Sequence, residues 1–217
     1  MKKVLFVTSE AVPFIKTGGL ADVTGSLPKY FDKKKYDVRI MIPKYLCIEE
    51  KLTADLENLG NFSISLGWRE QYVGVFHKVV EGVTYYFIDN EYYFGRDSIY
   101  GYSQDECERF AFFCRAVLEA LPHLDFKPDV IHCHDWQTGM IPVLLRRQYG
   151  SIDQYRGIKT VYTIHNLRYQ GLLQVTFQHG LVFRHTQKFK YIRIADNIGW
   201  LVDLNSFLRQ RKDLFFI

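Results

Sequence analysis

A chain of 217 residues is long enough for one large α/β domain. Its 47% apolar and 24% charged residues exclude a disordered chain, and a net charge of +4 on scattered lysines and arginines excludes an electrostatic nucleic-acid binder. No apolar run approaches the ~20 residues of a membrane span, so neither nucleic acid nor membrane is expected as a partner.

The first apolar run, Val4 to Thr8, is rich in strand-forming types and too short for a secretory h-region. Cys47, Cys107, Cys114 and Cys133 form no C-x-x-C pair, so neither a zinc knuckle nor a disulfide framework is indicated, and a reduced, cytoplasmic protein is expected. A helix is predicted from Leu20 to about Tyr30, with Leu20, Val23, Leu27 and Phe31 on one face. Between strand and helix lies Lys16-Thr17-Gly18-Gly19. The two glycines lack a Cβ and so permit a sharp turn and a close ligand approach. The helix start behind them offers unpaired N–H groups and partial positive charge, to which Lys16 adds a full one. Phosphate or a sugar-linked pyrophosphate suits such a seat; a plain turn with a solvated lysine fits the same spacing, and no nucleotide fingerprint is present.

Asp37 to Ile42 reads as a second strand ended by Pro43, which completes a βαβ unit. Strands follow at Phe62 to Leu66, Tyr72 to Val80 and Val83 to Ile88, the last two separated by Gly82 as a hairpin appended to the parallel sheet. Val83, Tyr85 and Phe87 alternate with less apolar neighbours, as in a half-buried strand. The loop from Asp89 to Gln104 holds Tyr92, Tyr93, Phe94, Tyr100 and Tyr102, rings that suit either sugar stacking or packing of the loop itself. Asp89, Asn90 and Tyr93 directly follow a strand end and are the binding candidates there.

Asp105 to Leu121 has the clearest helical pattern, with Phe110, Phe113, Cys114, Val117, Leu118 and Leu121 inward. Glu106, Glu108, Arg109 and Glu119 are expected outward, and Asp105 with Glu108 suggests a capping box. Val130 to Cys133 reads as a buried strand, with His134-Asp135-Trp136-Gln137 at its carboxyl end and a helix over 140–149 beyond. His132, Cys133 and His134 cannot converge on one ion from adjacent strand positions, so no metal is expected. Lys159 to Ile164 is a further strand, ending in His165-Asn166. Three carboxyl ends, at Lys16, Asp135 and His165, are therefore expected to face one crevice.

The stretches Lys16-Thr17-Gly18-Gly19-Leu20-Ala21-Asp22-Val23, His132-Cys133-His134-Asp135-Trp136 and Thr163-Ile164-His165-Asn166-Leu167-Arg168-Tyr169-Gln170-Gly171 together resemble bacterial glycogen synthases and plant starch synthases. The resemblance implies a Rossmann-like doubly wound α/β sheet, the N-terminal half of a two-domain GT-B glycosyltransferase. It also implies a retaining reaction that moves glucose from ADP-glucose to the non-reducing end of an α-1,4-glucan (glycogen or maltooligosaccharide), with no cofactor. It assigns catalysis to His165 and Asp135, and substrate binding to Lys16, Thr17, Gly18, Gly19, Asp22, Trp136 and Asn166, beside Asp89, Asn90 and Tyr93. The expected division is an acceptor-side domain over 1–173 and a basic, aromatic tail over 174–217 that leaves the family pattern. Because the family's second domain holds most of the nucleotide site, the chain alone is expected to be inactive. A glucan-binding module and a non-functional truncated product are the other readings.

Overall fold

The computed structural model describes residues 1–101 and 105–166, together with the backbone of 172–173, 192–193 and 214–216. In chain order, β1 (Lys2–Val7), α1 (Gly19–Ser26), β2 (Tyr36–Pro43) and α2 (Glu50–Thr53) come first. Then come β3 (Glu57–Leu66), β4 (Arg69–Val80), β5 (Val83–Asp89), α3 (Glu91–Phe94) and α4 (Glu106–Ala120). After these lie β6 (Val130–His134), α5 (Met140–Leu144), β7 (Lys159–Thr163), β8 (Leu172–Leu173), β9 (Ile192–Arg193) and β10 (Leu214–Phe216). Eight strands form one sheet in the order β10-β7-β6-β1-β2-β5-β4-β3, while β8 and β9 pair with each other.

The sheet is parallel from β10 to β5, and β4 and β3 extend it antiparallel. In β1, Val4 stands opposite Val38 of β2 on one side and Val130 of β6 on the other. The chain winds outward from β1 in both directions, so the strand order reverses between β1 and β6. A crevice opens at such a reversal, outside the carboxyl ends of the strands. Residues at the ends of β1, β6 and β7 therefore become neighbours there. The expected α/β class with a Rossmann-like parallel sheet is what the chain adopts.

Several local expectations change. The strand β5 is an interior strand, because β2 pairs along one edge and β4 along the other, and it is buried on both faces. Only β3 and β4 are appended, and Glu81 and Gly82, both at positive φ, make the tight turn from β4 into β5. Val23 of α1 and Leu27 just beyond it are exposed, and the buried positions of α1 are Leu20, Ala21, Thr24 and Gly25. Polar anchors turn the helix this way: the Thr24 hydroxyl donates to the Glu10 carbonyl at 2.7 Å, and the Val12 amide donates to the Ala21 carbonyl at 3.1 Å. Gly25 lies so close to Val12 that an added Cβ would stand 2.3 Å from its carbonyl oxygen. Pro28 then ends the α-helix in a 3-10 turn over Leu27–Tyr30.

The polar side of α4 is also covered. Arg109 is fully buried, its guanidinium donating to Glu106 at 2.7 Å and to the Tyr93 carbonyl at 2.8 Å. The segment from Tyr93 to Ile99 wraps this side of the helix, which periodicity along α4 alone does not reveal. No capping box forms: Asp105 pairs with Arg96, and Glu108 takes Arg69 and the Tyr93 hydroxyl. Beyond β6, α5 continues through a π-helical turn over Leu145–Tyr149.

Candidate active site

Glu10, just beyond β1, is the residue that sequence reasoning did not single out. Its side chain is buried, and its carboxylate accepts both the backbone N–H and the hydroxyl of Thr17. This holds the segment between β1 and α1 in place, with Gly18 and Gly19 at its crest. Gly18 has an extended backbone at φ −156°, so no sharp turn requires a glycine there. A Cβ on either glycine would meet nothing within 4 Å, which leaves the space above the N-terminus of α1 open to a ligand. Lys16 donates to Asp22 at 2.8 Å across the same opening, with both side chains about half exposed. Only the sharp-turn reason for the glycines fails; the open approach remains.

At the end of β6, Asp135 adopts φ 56° and ψ 178°, a conformation costly for any residue with a Cβ. Its amide donates to the Thr163 carbonyl at 2.9 Å, and its carboxylate accepts the His165 amide at 2.7 Å. The Thr138 amide and hydroxyl both bond its carbonyl, so the turn is fixed from two sides. Burial raises the Asp135 carboxyl above the usual range, and the backbone N–H groups of His165 and Asn166 pull it back.

His132 and His134 lie two apart on β6 and therefore share a face. Their rings stack at 4.1 Å, the His132 Nε2 stands 2.7 Å from the Thr163 hydroxyl, and the His134 Nδ1 stands 2.9 Å from the His165 Nε2. Burial lowers His132 to about 4 and holds His134 well below the usual imidazole range, so both rings are neutral at physiological pH. Among the described residues, no group of three or more His, Cys, Asp or Glu side chains is arranged to hold a metal ion.

Tyr100 joins the two halves of the site. Its hydroxyl is 2.7 Å from the Ser9 hydroxyl and 3.4 Å from the Glu10 carboxylate. Burial raises its pKa, and the charges of Glu10 and Asp135 both act on it. The Tyr100 hydroxyl thus meets Glu10, which holds the Lys16 segment, and its ring lies 6.3 Å from Phe110, against which Trp136 packs beside Asp135. Trp136 packs edge-on against Phe110 at 5.2 Å and is buried, while Asn166 is exposed beside His165.

Asp89, Asn90 and Tyr93 form a separate group. Asp89 pairs with Lys44 at 3.3 Å, and Asn90 caps α3, its side chain bonding the Tyr93 amide and the Tyr72 carbonyl. Tyr93 is fully buried and donates to Glu108 at 2.6 Å. Their polar groups are engaged within the chain, and hydrogen bonds serve the local fold at each. Residues 167–171, part of the His165 stretch, lie outside the described residues, as do Tyr102 and most of the tail.

The family model described as the starch synthase catalytic domain matches residues 3–203. The chain belongs to that family. It is 58% identical over 172 residues to a glycogen synthase from Lachnospira eligens, covering 79% of this chain and 36% of the relative. It is 51% identical over 200 residues to a glycogen synthase from Bacillus cereus, covering 91% of this chain and 42% of the relative. The chain thus spans well under half the length of the curated relatives it matches. The catalytic domain of starch synthase IV from Arabidopsis thaliana, solved with ADP and acarbose, superposes on 80% of this chain with a TM-score of 0.67 and 31% identity, over 35% of its own length.

Proposed function

We propose that this chain contributes the acceptor-side wall of a retaining glucosyltransferase, over residues 1–173, followed over 174–217 by a tail that leaves the family pattern and adds β10 to the edge of the sheet. The donor is ADP-glucose, the acceptor an α-1,4-glucan, and no cofactor takes part. The reading is supported most by one observation: β1, β6 and β7 are neighbours in the parallel sheet, so the Lys16 segment, the N-terminus of α1 and the Asp135–His165 pair all follow carboxyl ends on the same side. The ADP and acarbose of the starch synthase IV structure support a nucleotide sugar and a glucan as the classes of substrate.

Loss of ADP from the donor leaves oxocarbenium character on the sugar and growing negative charge on phosphate. Preorganised cations and dipoles stabilise that charge without reorganising during the reaction. Lys16 and the first amides of α1 serve this role. The Lys16–Asp22 pair is half exposed and worth at most about 1 kcal/mol, so phosphate exchanges with Asp22 at little cost. Asp135 and His165 sit where the glucosyl group transfers, with Asn166 and Trp136 beside them. The second wall, with further phosphate contacts, comes from a domain outside this chain, and the enzyme works in the cytoplasm.

Glycogen co-sedimentation combined with an ADP-glucose turnover assay tests this reading. The chain alone should be retained on glycogen and should release no ADP. Turnover by the chain alone would contradict the one-wall reading, and failure to bind glycogen would contradict the acceptor assignment.

A further inference from the structure

His134 takes no part in the chemistry described above, yet it is 1% exposed and its Nδ1 lies 2.9 Å from the Nε2 of His165. One ring must donate and the other accept. The second nitrogen of His134, Nε2, is buried and bonds no described residue. Were Nδ1 of His134 the acceptor, the neutral ring would carry its proton on Nε2, and a buried N–H would go unpaired. Orphaned buried N–H groups are the rarest defect in folded chains. With Nδ1 as the donor, Nε2 keeps only a lone pair, in a ring packed against Phe6 and His132 at centroid distances of 4.9 and 4.1 Å. Burial holds His134 neutral, so it has one proton to place and not two.

We propose that His134 is a positioning residue: its Nδ1–H donates to Nε2 of His165 and locks His165 as the neutral tautomer with its proton on Nδ1. Nδ1 of His165 bonds no described residue, and the residue is half-buried, so that proton is the one His165 offers to a ligand. A neutral N–H donor of fixed direction suits a sugar hydroxyl oxygen; a phosphate would favour a cation. The tautomer assignment stands on this geometry and the burial of His134, and only the identity of the accepting group rests on the glucosyl-transfer reading. The stack with His132, itself held at the Thr163 hydroxyl, keeps the His134 ring from rotating.

The test is heteronuclear NMR of the chain with its histidine ring nitrogens labelled, with a His165→Gln spectrum to assign the His165 signals. The expected spectrum has His165 Nδ1 in the protonated, pyrrole-type range and Nε2 in the bare, pyridine-type range. In His134→Leu the two shifts should move toward each other as the tautomers mix. In His134→Asn, whose amide N–H₂ replaces the Nδ1–H, the separation should return. A wild-type His165 with its proton on Nε2, or with averaged shifts, would overturn the proposal, as would a His134→Leu spectrum identical to wild type. Should the leucine variant fail to fold, the wild-type and asparagine spectra still decide. Glucosyl transfer is not part of this readout, so a fixed Nδ1–H tautomer in an enzyme with a different reaction would count against the function alone.

Discussion

The carboxylate of Asp135 accepts the backbone N–H of His165 at 2.7 Å, which latches the end of β6 to the end of β7. The latch is made from a residue at φ 56° and ψ 178°, a region that glycine occupies freely and other residues at a cost of about 1–3 kcal/mol. Function and folding therefore pull on one side chain. Asp135→Ala should destabilise the chain by about 2–3 kcal/mol, as a hydrogen bond to a charged group is lost while the strained backbone stays. Asp135→Gly should lose about 1–2 kcal/mol less, because the strain goes too. Urea unfolding of the two variants checks the order; a glycine variant weaker than the alanine one would contradict it.

The glycines separate packing from ligand access. A Cβ at Gly25 would meet the Val12 carbonyl at 2.3 Å and its amide nitrogen at 2.8 Å, both backbone atoms. Gly25→Ala should therefore cost about 2–3 kcal/mol by overpacking. Gly18→Ala and Gly19→Ala meet nothing within 4 Å and should leave stability unchanged or raised by up to about 1 kcal/mol. Thermal melts of the three variants test this contrast, and a loss of donor binding in the last two would then report ligand approach, not folding.

Acid should weaken the fold through the histidine stack. His132 titrates at about 4 in the folded chain because of burial, against about 6.5 when unfolded. Between these values the unfolded chain binds more protons, so stability is full above about pH 6.5 and is lost as pH falls toward 4. The loss from this residue is up to about 3 kcal/mol. His134 is lowered by the same cause and adds to this limb, while the raised carboxyl of Asp135 works in the opposite direction. Urea midpoints at neutral and acid pH should fall steeply for wild type and less for His132→Gln; equal falls would contradict the assignment.

Glu10 should govern the order of the Lys16 segment. Replacing it by alanine removes the acceptor of both the Thr17 amide and the Thr17 hydroxyl. Hydrogen exchange at the Thr17 amide should accelerate by about ten-fold or more, the equivalent of about 1.4 kcal/mol of local protection. Exchange within β1 should be unaffected, and acceleration spread evenly over both would mean global unfolding instead.

Much of this was legible before any coordinates. Apolar runs marked β1, β2, β6 and β7, and the polar residues after three of them pointed to one crevice, because parallel strands put their carboxyl ends on one side. What could not be read depends on contacts distant in sequence. Arg109 looked like an outward charge because helical periodicity does not register the segment that wraps it. Glu10 stands in a stretch, Ser9 to Phe14, that assigns it no role, and only the fold brings Tyr100, ninety residues later, against it. Asn90 and Tyr93 are binding candidates from position, and their bonds to the α3 cap and to Glu108 appear only in the fold.

The most direct test of the central claim joins residues 1–173 to the remaining portion of a curated glycogen synthase relative and measures incorporation of labelled glucose from ADP-glucose into glycogen. The account predicts transfer by the chimera, with a severe loss in Lys16→Ala and in His165→Ala while both variants still melt as the parent does. A chimera that folds, binds glycogen and transfers nothing, or one whose transfer is indifferent to both substitutions, would contradict the assignment of this edge of the sheet as one wall of the active site.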